Sequence, residues 1–189
     1  GGAARANVFT RIALALFGQL PWRGVPYIPV EIMLLPRWFP FHLDKVSYWS
    51  RTVMVPLFIL CTRKPVAKNP RQVHIPELFT TPPEEERHYF LRRGFLAKAF
   101  LAFDRLGRMI DPLIPAAMRE RATRRAENWM LERLNGEDGL GAIFPAMVNA
   151  LEAMVILGYP QDDERRLTAQ SALQKLLVVN ASSAYCQPC

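Results

Sequence analysis

Proline divides this sequence into short segments. The 189 residues include 16 prolines, and between them apolar residues recur at spacings of three and four. Proline lacks the backbone N–H that a helix interior needs, and its ring clashes with the preceding turn, so a helix seldom runs through one. Apolar spacing of three and four is typical of amphipathic helices, and strands have no obvious place in the pattern. We therefore predict an all-α fold in which helices alternate with Pro-rich connections.

Three helical segments are predicted in the first part of the chain. The first is NVFTRIALALFGQL, the second is the short PVEIMLLP, and the third is HLDKVSYWSRTVMVPLFILCTRK. One stripe of the third segment is apolar: Val46, Trp49, Val53, Leu57 and Leu60. Such a stripe faces the core in globular proteins, so Trp49 is predicted to point inward.

The rest of the chain continues the alternation. A long surface connection, KPVAKNPRQVHIPELFTTPPEEERHYF, leads into the next helix, and its acidic triplet Glu84, Glu85 and Glu86 is predicted to lie near that helix's start. A helix pair joined by a Gly-rich turn follows in ERATRRAENWMLERLNGEDG and FPAMVNALEAMVILGY, and a last helix in DDERRLTAQSALQKLLVVN. Asp162 and Asp163 precede the last helix, where N-capping explains them.

The C-terminal part has a helix, turn, helix, turn, helix order with a period of several tens of residues. This rhythm is typical of helical solenoids and α/α toroids, in which helix pairs stack. The chain is therefore divided into two parts. Residues 1–125 contain aromatic-rich helices, Pro-rich connections and a membrane-associated helix at about 90–110, and residues 126–189 form a degenerate helical repeat.

The charge balance is basic, with a formal net charge of +7. Pro, Arg or Lys interrupts each apolar run before the roughly 18 residues that a spanning helix needs, so no membrane crossing is predicted. Lys and Arg are interleaved with apolar residues rather than gathered on a polar face. This pattern favours lipid over nucleic acid as a partner.

The basic amphipathic block runs from Leu91 to Ile110. Its apolar residues are flanked by Arg92, Arg93, Lys98 and Arg105, the composition of a helix that lies in a lipid interface with its guanidinium groups on phosphates. The residues predicted to contact the membrane are Phe95, Leu96, Phe100, Phe103 and Leu106. The alternative is a helix that buries one apolar stripe in the core.

The three cysteines, Cys61, Cys186 and Cys189, are an odd number without the spacing of a disulfide framework, which fits a reducing compartment. The last two have the two-residue gap of redox or metal sites. A zinc site needs a second pair of ligands, however, and the three histidines are scattered. We predict no metal and no cofactor. The chain opens without an initiator Met, so we expect a fragment.

The segment LPRWFPFHLDKVSYWSR contains five aromatic rings. A core is filled more simply by Leu and Val, so these rings either add bulk or line a site that requires electron-rich faces.

Several segments, taken in order, resemble the bacterial squalene-hopene cyclases, a triterpene cyclase family. They are NVFTRIALALFGQLPWRGVPYIPVEIMLLPRWFPFHLDKVSYWSRTVMVPL, VHIPELF, RAENWMLERLNGEDGLGAIFPAMVNAL and AYCQPC. The resemblance covers nearly the whole chain and is weakest over residues 80–120. It implies an N-terminal to middle fragment of such an isomerase, folded as an incomplete part of an α/α toroid.

The resemblance implies a role for the aromatic residues. In this family an acidic Asp protonates a terminal alkene of squalene, and rings around a cavity guide the carbocations through ring closure to hopene or hopanol. A nucleophile would quench such a cation, whereas the negative face of a ring stabilises it by roughly 0.5–2 kcal/mol. The positions that match the cavity lining are Trp49, Phe9, Ile143, Phe144 and Pro145. Those that match the channel for incoming substrate are Val46 and Met54.

Two features depart from the family pattern. The Asp-x-Asp-Asp acid motif is absent, so no catalytic residue is predicted in this chain, the acid is expected outside it, and the fragment alone is expected to be inactive. Leu134 and Leu140 stand where Gln and Trp are typical. The usual contact between a helix end and the neighbouring turn is therefore in question at this repeat.

The resemblance also implies partners. These are squalene, a membrane surface on which the enzyme is monotopic, and a second copy in a homodimer, at the cytoplasmic membrane of a bacterium and without nucleic acid. The alternative is a non-catalytic helical module that binds a membrane or an isoprenoid lipid, and the missing acid is the argument for it.

Overall fold

The computed structural model describes residues 2–40, 42–90 and 94–187 of the chain. Within these residues there are six α-helices: α1 (Val8–Leu16), α2 (Tyr48–Arg63), α3 (Phe95–Ile110), α4 (Ala116–Leu131), α5 (Phe144–Leu157) and α6 (Glu164–Lys175). Short 3-10 helices lie between them, and Val30–Leu34 is the one predicted in PVEIMLLP. The predominantly helical class predicted from the sequence is confirmed. In the described part of the chain, no helix is both long and apolar enough to cross a bilayer.

The chain forms two compact units. The first unit contains residues 1–27 and 64–114, and the second unit contains residues 28–63 and 115–189. Each unit therefore combines two separate stretches of sequence. This partition differs from the sequence division after residue 125, which stays a prediction about the repeat.

In the first unit, α1 begins at a side-chain cap and is held by a buried arginine. The Asn7 side chain accepts a hydrogen bond from the Thr10 backbone N–H at 2.9 Å. One turn later, Arg11 Nη1 donates to the carbonyl oxygens of Gly24 and Tyr89, each at 2.8 Å. Burial lowers the pKa of Arg11 from its usual value. This guanidinium ties α1 to two distant segments of the first unit.

The C-terminal half of α3 is anchored to the first unit. Asp104 Oδ1 accepts from the Tyr27 backbone N–H at 2.6 Å, and Arg108 Nε donates to Asp104 Oδ2 at 2.7 Å. Gly107 lies so close to the Tyr27 ring that an added Cβ would be 2.3 Å from Cδ1. No residue of α3 is buried. The helix is therefore held by polar contacts near one end, and its large apolar side chains, apart from the half-buried Leu101, remain exposed.

The core of the second unit is formed by α2, α4 and α5. In α2 the whole run of residues 55–61 is buried. Alanines on the other two helices are buried as well: Ala122, Ala126, Ala146, Ala150 and Ala153. Their small side chains leave room for the larger ones of α2 at close packing. The 3-10 helix Val30–Leu34 is tied to α4, since Arg119 Nε donates to Glu31 Oε1 at 2.9 Å.

Two short antiparallel hairpins depart from the predicted pattern. β1 (Leu134–Asn135) pairs with β2 (Gly139–Leu140), and β3 (Leu177–Val179) pairs with β4 (Ala184–Cys186). The last helix therefore ends at Lys175, earlier than predicted, because the following LVV is extended and pairs with residues 184–186. Leu134 and Leu140 are cross-strand partners in the first hairpin, so an apolar pair occupies these two positions.

The acidic triplet does not begin a helix, and that prediction is wrong. Glu84 and Glu85 lie in a turn, whereas α3 begins at Phe95. Glu86 is buried, and its carboxylate accepts a hydrogen bond from the His88 backbone N–H at 2.6 Å. It therefore stabilises the connection before α3 and not the N-terminus of a helix. By contrast, Asp163 is the N-cap of α6 and accepts from the Arg165 backbone N–H at 2.9 Å, which confirms the capping prediction.

Candidate functional site

The second unit exposes aromatic rings at the start of α2. Tyr48 and Trp49 occupy the first turn of this helix, with ring centroids 5.9 Å apart in an edge-on arrangement. The Trp49 side chain is 56% exposed. Phe144, the first residue of α5, is also exposed. We call Tyr48, Trp49 and Phe144 the aromatic edge.

The prediction that Trp49 points inward is wrong. The helix begins at Tyr48, and the buried part of α2 begins only at Thr52. The first turn of α2 therefore extends beyond the core, and its rings are left at the surface of the unit. Thr52 fixes this turn, because its Oγ1 donates to the Trp49 carbonyl oxygen at 2.8 Å.

The loop before α5 lies against the first turns of α2. Gly141 has a φ of 68°, and an added Cβ would be 2.9 Å from Thr52 Oγ1. Two residues later, Ile143 is the half-buried N-cap of α5, and Phe144 and Pro145 are the exposed first residues of this helix. Three of the predicted cavity positions therefore lie shortly after Gly141, which approaches Thr52, and Thr52 is one turn after Trp49 on α2.

The two positions predicted for the substrate channel belong to the second unit. Val46 ends the 3-10 helix Leu43–Lys45, Met54 lies within α2, and both are half-buried. Asp44, two residues before Val46, forms two ion pairs: it lies 3.4 Å from Arg37 Nε and 3.7 Å from Arg51 Nη1. Both pairs lie at the surface, so each contributes little to the stability of the connection into α2.

Phe9 belongs to the first unit. It lies on α1 with 58% of its side chain exposed, and Ala13 and Phe17, one and two turns on, are exposed too. Spacing of four places these three residues on one face of the helix. Trp49, Ile143, Phe144 and Pro145 form a separate group in the second unit.

The predicted membrane residues all lie on α3 and are exposed. Phe95 is the most exposed of them, at 84%, and Leu96, Phe100, Phe103 and Leu106 are each more than half exposed. The alternative prediction, a stripe of α3 buried in the core, is wrong for this chain, since α3 has no buried residue. Leu91, Arg92 and Arg93 lie outside the described residues.

Two pKa shifts in the second unit come from burial. Burial raises the pKa of the Glu152 carboxyl, and it raises the pKa of Tyr159 to about 12, together with a hydrogen bond from Tyr159 to Glu127. The Arg165 guanidinium lies over the Tyr159 ring, 4.7 Å from its centroid. Tyr159 therefore stays neutral and fastens the turn before α6 to α4.

The described part of the chain contains no cluster of side chains that could bind a metal ion. Among those residues, no group of three His, Cys, Asp or Glu side chains could hold an ion. Cys61 is buried in α2, whereas Cys186 is exposed on β4. Cys189, the other member of the predicted pair, lies outside the described residues.

The family model described as the squalene-hopene cyclase N-terminal domain matches residues 1–182. The chain belongs to the squalene-hopene cyclase family.

Named relatives agree with this family assignment. The squalene-hopene cyclase of Zymomonas mobilis is 46% identical over 198 residues, covering 100% of this chain and 30% of the relative. The cyclase of Bradyrhizobium diazoefficiens is 46% identical over 199 residues, covering 100% of this chain and 29% of the relative. The squalene-hopene cyclase of Schizosaccharomyces japonicus is likewise 46% identical, over 192 residues. The chain thus spans about 30% of the length of a relative it matches.

Membership of the squalene-hopene cyclase family indicates which fold the helices belong to. The matched domain is the N-terminal domain of the α/α toroid of terpene cyclases, which agrees with the helical character of the chain. The aromatic-rich segment singled out in the sequence contains Trp38 and Tyr48, but the exposure of these two rings was not predicted. The flanking Pro36 and Pro40 were the available signal for Trp38, because a ring between two prolines cannot belong to the interior of a packed helix.

Proposed function

We propose that this chain forms part of the aromatic wall of an enzyme that cyclises squalene to hopene or hopanol through a carbocation cascade. The observation that carries the proposal is the exposed Trp49 ring, which lies one turn before Thr52, the residue that Gly141 of the loop before α5 approaches closely. Burial in the core of the unit does not account for this ring. The relatives named squalene-hopene cyclase support the choice of reaction.

The rings of the aromatic edge would act on cationic intermediates. Each ring presents a negative face that stabilises a nearby cation by roughly 0.5–2 kcal/mol without forming a bond to it. Stabilisation of this kind favours the transition state, since the positive charge exists only after protonation. Ile143 and Pro145 would shape the wall by apolar contact, and Phe9 would contribute a further ring from α1. Val46 and Met54 would line the approach of an apolar substrate.

The proton must come from another part of the enzyme. These 189 residues contain no Asp-x-Asp-Asp motif, and Asp163 is occupied as the cap of α6. Asp163 also accepts from the Arg165 side chain, which lowers the pKa of this carboxyl. We therefore assign proton donation to residues beyond this stretch and wall formation to the residues named above.

We also propose that the enzyme lies on the cytoplasmic membrane of a bacterium and takes squalene from the lipid. The exposed apolar residues of α3 support this proposal, because a helix with Phe95 and Phe103 in water and no buried face gains by entering a lipid interface. Arg105 and Lys98 on the same helix suit anionic headgroups.

Cyclisation of squalene tests the proposed function. The assay uses the intact polypeptide, by which we mean these 189 residues together with the part of the enzyme that supplies the proposed acid. Trp49→Ala should lower kcat by about two- to thirty-fold, the loss of one cation–π contact, whereas Trp49→Phe should retain most of the activity. Tyr185→Ala is the matched control, since it removes an exposed ring from β4. Gas chromatography of the products gives the rates. The proposal fails if no cyclised product forms, or if Trp49→Ala and Tyr185→Ala have the same effect.

A further inference from the structure

A second surface of the second unit is rich in arginine. Arg121, Arg124 and Arg125 are exposed on α4, at spacings of three and four, so they share one side of the helix. Together with Asn128, Trp129 and Glu132 they line a groove of about 470 Å³. We call this surface the arginine groove.

The positive charge of the arginine groove is not neutralised by the fold. Glu120 lies 4.0 Å from Arg124 Nη1 and is shared with Arg63, at 3.7 Å. Glu132 is taken by Arg133, whose Nη1 lies 3.0 Å from it. Within the described ranges, Arg121 and Arg125 have no carboxylate within 4.0 Å.

Helix stability does not explain this arrangement. Arg121 and Arg125 are four residues apart, and like charges at this spacing destabilise a helix. The packing of α4 does not require them either, because the buried side of the helix is formed by Ala122, Ala126 and Met130. An anionic ligand bound between the two unpaired guanidinium groups would offset their mutual repulsion.

The chemistry of the arginine groove favours a phosphate group. Guanidinium groups donate paired hydrogen bonds to phosphate oxygens, and a shallow, open surface along one helix is accessible to a lipid headgroup. Arg133 covers one face of Trp129, 4.3 Å from the ring centroid, which leaves at most the other face for stacking on a nucleic acid base. Met118, exposed one turn before Arg121, adds apolar surface to the same side.

We propose that the arginine groove binds the phosphate of anionic phospholipid headgroups. This inference rests on the proposed membrane association and extends it, because it assigns lipid charge selectivity to α4 and apolar insertion to α3. The two contributions are separable by their dependence on lipid charge and on salt.

Vesicle sedimentation with the intact polypeptide tests the arginine groove. Vesicles of phosphatidylcholine alone are compared with vesicles that also contain phosphatidylglycerol. Arg121→Gln with Arg125→Gln should weaken binding to the anionic vesicles at least about ten-fold and leave binding to neutral vesicles unchanged. The matched control is Arg71→Gln with Arg87→Gln, which removes the same charge from exposed positions of the first unit and should change binding less than about two-fold.

Three outcomes of the vesicle and phosphate measurements would overturn the inference. Equal losses in both pairs would show that net charge alone acts. Unchanged binding by the groove pair would show that the groove does not contact lipid. Saturable binding of inorganic phosphate, lost in the groove pair without any effect on vesicles, would show that the phosphate comes from a soluble ligand.

Squalene turnover in detergent micelles separates this inference from the proposed function. The groove pair should cyclise squalene in micelles at the rate of the unaltered protein, since no headgroup phosphate is required there. Absence of turnover in the unaltered protein would remove the cyclase proposal and leave the vesicle result standing. A loss of turnover in micelles confined to the groove pair would overturn the lipid role of these arginines.

Discussion

At the scale of single residues, Gly141 is the position on which the geometry of the aromatic edge depends. Its φ of 68° lies in the left-handed region, and the space for a Cβ is already filled by Thr52, whose Oγ1 would be 2.9 Å away. Thr52 in turn donates to the Trp49 carbonyl oxygen. One glycine therefore sets how closely the loop before α5 approaches the first turn of α2.

We predict that Gly141→Ala lowers the free energy of unfolding by about 2–4 kcal/mol. A left-handed conformation costs an alanine about 1–2 kcal/mol, and the displacement of a buried, hydrogen-bonded Thr52 adds to it. Gly158→Ala is the control, because Gly158 has a φ of 88° but no atom within 4 Å of an added Cβ. Urea denaturation measures both variants. Equal losses would contradict the role assigned to the contact with Thr52.

At the scale of elements, the helices were predictable and their limits were not. Apolar spacing located α1, α2, α4 and α5, because each helix buries residues at intervals of three and four. The end of α6 was missed because Leu177–Val179 pairs with Ala184–Cys186, a contact that helical periodicity does not reveal. The triplet at residues 84–86 was misplaced because an acidic residue stabilises a turn as readily as a helix start.

The element with the clearest consequence is α3. We predict that Phe95→Asp with Phe103→Asp weakens binding of the intact polypeptide to phosphatidylcholine vesicles at least about ten-fold, since burying one large apolar side chain contributes about 1.5–3 kcal/mol. Val66→Asp with Leu78→Asp is the control, because it places the same charges at exposed apolar positions outside α3. Sedimentation measures the bound fraction. Unchanged binding by the Phe95→Asp, Phe103→Asp variant would contradict the membrane role of α3.

At the scale of the whole molecule, the sequence predicted the family and the fold class better than the surroundings of the site. The segments around Trp49 and Ile143 carried the resemblance, and the family match over residues 1–182 agrees with it. Periodicity alone placed Trp49 in the core, because the stripe from Val46 to Leu60 does not reveal that packing begins only at Thr52. The arginine groove was missed because Arg121 and Arg125 lie in a segment whose apolar pattern is ordinary.

The exposed apolar surface bears on whether these 189 residues stay monomeric by themselves. Phe9, Phe17, Trp49, Phe95 and Phe103 are each more than half exposed, and the chain spans about 30% of a relative's length. Repeats of a toroid bury such faces on neighbouring repeats. We predict that a polypeptide limited to residues 1–189 self-associates in water, because exposed apolar patches of this kind associate, and that mild detergent makes it monomeric. Light scattering after size-exclusion chromatography, with and without detergent, measures the mass. A stable monomer without detergent would mean that the exposed rings of both units need no neighbouring repeat to cover them.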